Sequence, residues 1–162
     1  YGLSFWMPYH GTGTDQLGAY DLRSALACPH FIACWDVRDR KLDYDFLRQT
    51  IGAWREYAPD YLGDFHPLTP YTTGNDAWLA WQFDRPEAGQ GMVQVFRRVN
   101  SVYEAARLKL RGLDAKARYT VTDMDDPKAA QEIPGAELTE RGLLVVAPTQ
   151  PAAKVITYRK LN

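Results

Sequence analysis

Beyond Asp76 the chain is cut into short β-rich runs by closely spaced turns, and this limits its fold more than any other feature. The runs are residues 78–83, 92–97, 105–110, 119–123, 143–147 and 154–159. Turn formers separate them at 87–91, 100–101, 112–115, 125–127 and 148–151. In the third run Ala106, Leu108 and Leu110 alternate with Arg107, Lys109 and Arg111, giving one dry face and one wet face. No helical period appears after Tyr57. Antiparallel strands at this spacing predict a β-sandwich. Phe83, Phe96, Tyr119 and Tyr158 fall one to a strand, as core rings do. A sugar-binding face would show them in a row.

The first 76 residues follow a different grammar. Leu3-Ser4-Phe5-Trp6-Met7 reads as a short buried strand stopped by Pro8. The polar Gly-rich stretch 9–14 reads as a loop. Its GTGT lacks the following helix and the Lys that a phosphate cradle requires. A helical turn is expected over 20–27. The run 31–37, FIACWDV, is continuously apolar up to Asp36, which suits a parallel strand covered on both faces. A helix is predicted over 43–57. Asp43 caps it, Leu47, Ile51, Trp54 and Ala58 form one apolar stripe, and Pro59 ends it. Strand, loop, strand, helix is α/β order. Two strands and a helix do not close a domain, so they read as the last part of a larger parallel barrel or sheet.

Residues 61–75 join the two parts. A flexible linker is rich in Gly and Ser. This segment holds Tyr61, Phe65, Pro67, Pro70 and Tyr71, so an ordered connector is expected. Trp78 and Trp81 differ by three, which on a strand sends their rings to opposite faces.

Composition excludes several function classes. The net charge is −1 and no basic stripe appears, which argues against a nucleic-acid groove. No run of about 20 apolar residues could span a membrane. Cys28, Cys34 and the scattered His10, His30 and His66 form neither a disulfide framework nor a zinc pattern, so no metal or cofactor is expected. The chain opens at Tyr1 directly into an apolar run, without an initiator Met or a signal-peptide pattern. It reads as beginning inside a longer protein.

Several segments carry a family resemblance. They are WREYAPDYLGDFHPLTPYTTGNDAWLAWQFDRPEAGQGMVQVFRR, SVYEAARLKLRGLDAKARYTVTD, GLLV and AAKVITYRK, with FWMPYHGTGT and YDLRSALA before them. Together they resemble the C-terminal end of bacterial α-galactosidases of glycoside hydrolase family 36. The likeness covers nearly the whole chain and is densest over 54–111. It implies that residues 1–76 are the end of a (β/α)8 catalytic barrel plus connector, and that 77–162 are the C-terminal antiparallel sandwich. The expected fold class is therefore mostly β, with an α/β segment ahead of the sandwich.

A retaining glycosidase needs a nucleophile and an acid/base about 5 Å apart. The resemblance places both upstream of Tyr1, so no catalytic residue is expected here. Asp36 ends a presumed barrel strand, where barrel chemistry sits, and otherwise reads as a structural Asp. Trp6, Tyr9 and His10 are expected either at the rim of a sugar site or packed against the sandwich. The implied function is that of the C-terminal part of an α-galactosidase-like hydrolase, inactive alone. Its sandwich would brace the catalytic barrel, its partner within the same protein, with galactosides as possible ligands. The alternative is an independent carbohydrate- or partner-binding sandwich module.

Overall fold

The computed structural model describes residues 1–7 and 9–161, so Pro8, the expected stop of the first run, lies outside them. The larger part of the chain is a β-sandwich of unequal layers. One layer is a six-stranded antiparallel sheet. Its strands are β3 (Asp64–Pro67), β4 (Trp78–Arg85), β5 (Gln90–Arg97), β7 (Arg118–Asp123), β8 (Gln131–Pro134) and β10 (Ala152–Lys160). They lie in the order β3-β4-β5-β10-β7-β8. The other layer is the pair β6 (Ala105–Leu108) and β9 (Leu143–Val146), antiparallel with Leu108 opposite Leu143.

Alternation along the strands builds the inner core. Ala80, Val93, Val95, Val121, Ile156 and Tyr158 leave one face of the large sheet and meet Leu108, Leu143 and Val145 of the small one. Leu138 closes this core from a helical segment, α3 (Gly135–Glu137) running into a π-helical turn, Leu138–Gly142. The period-two reading did not predict that segment. The expected strands all form, and β3 and β8 are two more that it missed.

The central strands are buried on both faces. Trp81, Phe83, Met92, Phe96, Ala153 and Val155 leave the second face and pack against Tyr57, Tyr61 and Trp54 from the first part of the chain. Trp78 joins the inner core instead, so the two tryptophans do point to opposite sides.

The first 62 residues supply the cover for that second face. Helix α1 (Ala19–Ala25) and helix α2 (Tyr44–Tyr57) pack through Leu22, Leu26, Leu47 and Trp54. The Asp43 carboxylate accepts the Phe46 N–H and caps α2, a contact typically worth about 1 kcal/mol. A 3₁₀ turn, Ala58–Leu62, follows with Pro59 in its first turn. Of the predicted stripe, Leu47 is buried while Ile51 and Trp54 are half-buried.

Three expectations in this part are corrected. Leu3-Ser4-Phe5-Trp6-Met7 is not a strand. Leu3–Phe5 is a 3₁₀ turn, and the Trp6 and Met7 N–H groups both donate to the Leu3 carbonyl, which curls the chain. The stretch 9–14, expected as a loop, contains a strand, β1 (Gly11–Thr14), parallel to β2 (His30–Ala33). Gly13 makes this pairing possible, because a Cβ there would lie 2.9 Å from Cys34 Sγ. The run 31–37 is also shorter as a strand than expected and is not covered on both faces. Ile32 and Val37 stand exposed.

Candidate functional site

The residues singled out from sequence do not form one cluster. Trp6 and Tyr9 are 85% and 71% exposed. His10, whose Nδ1 lies 3.0 Å from the Met7 carbonyl, borders a small hollow with Phe5, Tyr61 and Phe65 at the connector. Phe5 also meets Phe65 edge to face. This stretch therefore enters β1 from its N-terminal end. Asp36 lies beyond the C-terminal end of β2, about 13 Å along a four-residue parallel pair. Its carboxylate accepts from the Arg38 backbone N–H at 2.9 Å and from Arg38 Nε at 3.0 Å. These bonds hold it below the usual carboxylate range, so it is an ionised surface group.

The best-built polar arrangement is the join between the two parts. Trp81 Nε1 donates to Gln94 Oε1 at 2.7 Å, and Gln94 Nε2 donates to the Tyr61 hydroxyl at 2.8 Å. Tyr61 in turn donates to the Leu26 carbonyl at the end of α1. Burial, with Tyr57 adjacent, pushes the Tyr61 phenol well above its ordinary value, so it stays a neutral donor. At the rim, Arg23 of α1 forms a two-pronged ion pair with Asp125 and donates to the Ala153 carbonyl at 2.6 Å. Lys154 holds Asp123 at 2.5 Å beside it.

Two buried carboxylates were not legible in the sequence. Asp84 lies on the inner face of β4, where Tyr158 donates to its Oδ1 at 2.6 Å. Gln82 donates to the Tyr158 oxygen at 2.7 Å and exchanges two 2.8 Å bonds with the Arg111 backbone. Gly112, at φ +76°, passes so close that a Cβ would lie 2.5 Å from Asp84 Oδ2. Asp60 is buried beside Gln90, which donates to its Oδ1 at 3.0 Å, with Arg85 at 3.8 Å. Burial raises both carboxyls above their ordinary values, against the opposing bonds from Tyr158 to Asp84 and from Gln90 to Asp60.

The sign of the linkage follows. A carboxyl whose folded value is raised favours the fold most at pH below its unfolded value, near 4. That contribution is lost as pH rises through the folded value. Asp84→Asn keeps the side chain's shape and an acceptor for Tyr158 while removing the buried charge. The variant is expected to be more stable than the parent sequence at pH 7, with the difference vanishing toward pH 3.5. Urea unfolding of both proteins across that range checks it, and a difference independent of pH would refute it.

Beside Asp60, a hollow on the second face is bordered by Glu56, Gln90, Thr120, Thr122 and Thr157. It offers hydroxyls and carboxylates but no exposed ring on which a sugar could stack. Among the described residues no cluster of His, Cys, Asp or Glu is arranged to hold a metal ion, and no helix is long and apolar enough to cross a membrane.

Comparison with known proteins adds the wider setting. Residues 76–157 match the model of the glycosyl hydrolase family 36 C-terminal domain. No curated protein matches the chain. Among solved structures, it is similar to the GH36 alpha-galactosidase AgaA from Geobacillus stearothermophilus, at 16% identity and a TM-score of 0.71, covering 93% of this chain and 21% of that one. AgaB from the same organism gives 18% identity and a TM-score of 0.68, covering 96% and 21%. The galactosidase domain of an alpha-galactosidase-sucrose kinase, AgaSK, gives 19% and 0.69, covering 91% and 20%. At these identities the likeness is one of fold. The chain spans about a fifth of the length of the structures it matches.

Proposed function

Because this chain belongs to glycoside hydrolase family 36, we propose that it is the C-terminal portion of an α-galactosidase-like hydrolase whose sandwich braces a catalytic barrel formed largely by upstream residues. In this reading residues 1–76 are the end of the barrel and the connector, and 77–162 are the C-terminal domain. The observation that carries the bracing role is the second face of the large sheet. There α1, α2 and the 3₁₀ turn share one apolar cluster with β4, β5 and β10, tied by the Trp81–Gln94–Tyr61–Leu26 chain of hydrogen bonds. A tethered module needs no such continuous core.

The chemistry of the proposed parent is retaining hydrolysis with two carboxylates about 5 Å apart. Asp84 and Asp60 are buried in structural networks, and Asp36 is paired with Arg38, so the reading places nucleophile and acid/base upstream. Asp36, beyond the C-terminal end of β2, is then the residue of this chain placed to border the sugar site, whereas Trp6 and Tyr9, exposed ahead of β1, lie at the opposite end of the parallel pair. His10 is turned to the connector. Phe83, Phe96, Tyr119 and Tyr158 are all buried, so an independent sugar-binding module would lack its platform.

The 162-residue chain alone is expected to release no aryl leaving group from an aryl α-galactoside. The parent protein is expected to do so, and to lose soluble expression and activity when 77–162 are deleted. Turnover by the chain alone, abolished by Asp36→Asn, would refute the reading. So would full activity of the deleted parent.

A further inference from the structure

The hollow beside Asp60 stands on a grid of polar side chains that the bracing role does not use. On the second face of the large sheet, Arg159 of β10 lies between Gln90 of β5 and Thr120 of β7. One step along, Thr157 lies opposite Thr122. Neighbouring strands are about 4.8 Å apart and alternate residues of one strand about 6.6 Å apart, so these heads share the footprint of one small molecule. Glu56 of α2 and Asp60 of the 3₁₀ turn form the wall. The enclosed space is about 330 Å³, within the size of a small-ligand site.

The grid is held by its own bonds, yet much of its capacity is unused. Arg159 Nη2 donates to Gln90 Oε1 at 3.1 Å, and Gln90 Nε2 donates to Asp60 Oδ1 at 3.0 Å. This chain fixes the amide between guanidinium and carboxylate. Asp60 is only 3% exposed, and its Oδ2 takes no donor among the described residues. Nor do the Thr120 and Thr122 hydroxyls have a side-chain partner there. Thr157 Oγ1 reaches only the Met124 sulfur, at 4.0 Å.

We propose that this hollow binds a small neutral polyol, with its hydroxyls donating to Asp60 Oδ2 and accepting from Arg159 and the threonines. Charge selects the class. Arg159 opposes a cation, while Asp60 and Glu56 oppose an anion. A hydroxyl both donates and accepts, so a run of hydroxyls matches threonines beside a carboxylate and a guanidinium. No ring faces the hollow, so hydrogen bonds alone hold the ligand and binding falls in the millimolar range. The site is built from this chain's own side chains and does not depend on what precedes Tyr1.

The test titrates the ¹⁵N-labelled chain with galactitol and, separately, with galactose, which distinguishes an open-chain polyol from its ring form. Propanol and ammonium chloride are the controls. Either polyol is expected to shift the amides of Gln90, Thr120, Thr122, Thr157 and Arg159 saturably below about 100 mM. Thr122→Val and Thr157→Val keep the side-chain shape and remove one hydroxyl each. Each is expected to weaken binding about 3–10-fold in a spectrum that otherwise stays that of the folded chain. Shifts that do not saturate, or that spread evenly over the chain, would overturn the proposal. So would unchanged binding by both valine variants, or equal shifts at the same amides with ammonium chloride or propanol. The galactoside assay and the deletion that test the bracing role do not involve these threonines, so the two readings fail separately.

Discussion

Arg97→Ala is expected to destabilise the chain by about 4 kcal/mol, among the largest effects of any single substitution here. Arg97 is buried at the end of β5, and among the described residues its side-chain partners are backbone carbonyls, not carboxylates. Its Nη1 donates to the carbonyls of Ala147 and Pro148 at 2.6 and 3.0 Å, and its Nη2 to the Ser101 carbonyl at 2.8 Å. One guanidinium therefore satisfies three backbone acceptors from two loops that cross the same end of the sandwich. Alanine leaves all three without a donor, at roughly 1–3 kcal/mol each before water enters. It also opens a cavity. Arg97→Lys keeps the charge but offers no planar fork, and is expected to lose about half as much. Urea unfolding monitored by tryptophan fluorescence measures both. A cost below about 1 kcal/mol for the alanine variant would mean that the loops hold without the cation.

Arg97 also shows where sequence reading stops. Leu108, Val121 and Ile156 announce their face because alternation is a local signal that burial enforces along each strand. Gln82, Asp84, Gln94 and Arg97 break that signal and are buried all the same. Each is satisfied by groups distant in sequence: Arg111 and Tyr158 for Gln82, Tyr158 for Asp84, Tyr61 for Gln94, Ala147 for Arg97. No local pattern encodes such partners.

The missed strands have a similar cause. β3 and β8 end in Pro67 and Pro134 and are only four residues long, so proline and turn signals outweighed them. They are the two edge strands of the sheet, where proline is tolerated. β1, GTGT, has no β-branched or aromatic ladder beyond its two threonines, and close approach to β2 defines it instead. The capped helix and the sandwich were legible because each rests on short-range periodicity or capping, whereas the first strand of the α/β part was expected at 3–7 and lies at Gly11–Thr14. Among the rim candidates, residue type suggested a sugar site. The separation of His10 from Asp36 by the length of a strand pair depends on the β1 register, which sequence did not show.

Tyr61→Ala is expected to cost about 3–5 kcal/mol and to change how the chain unfolds as well as when. The ring is among the largest fully buried side chains and packs edge to face on Phe83, at 5.1 Å, and near Tyr57. Its hydroxyl links Gln94 of β5 to the Leu26 carbonyl. One side chain thus fills the space between α2 and the sheet and also closes the polar chain between them. Tyr61→Phe keeps the ring and removes the bridge, leaving the Leu26 carbonyl without that donor, and should cost about 1–3 kcal/mol. With alanine the shared cluster is interrupted where the connector begins, so β3 loses its support from the helices while keeping its pairing with β4. The helices should then melt before the sandwich, splitting one unfolding transition into two. Chymotrypsin should cut the alanine variant quickly at Phe65 or the exposed Tyr71 and leave a stable piece near residues 72–162, while the unaltered chain resists. Rapid cutting of the unaltered chain at the same sites would show that the connector is mobile despite its rings, and the bracing role would lose its mechanical basis.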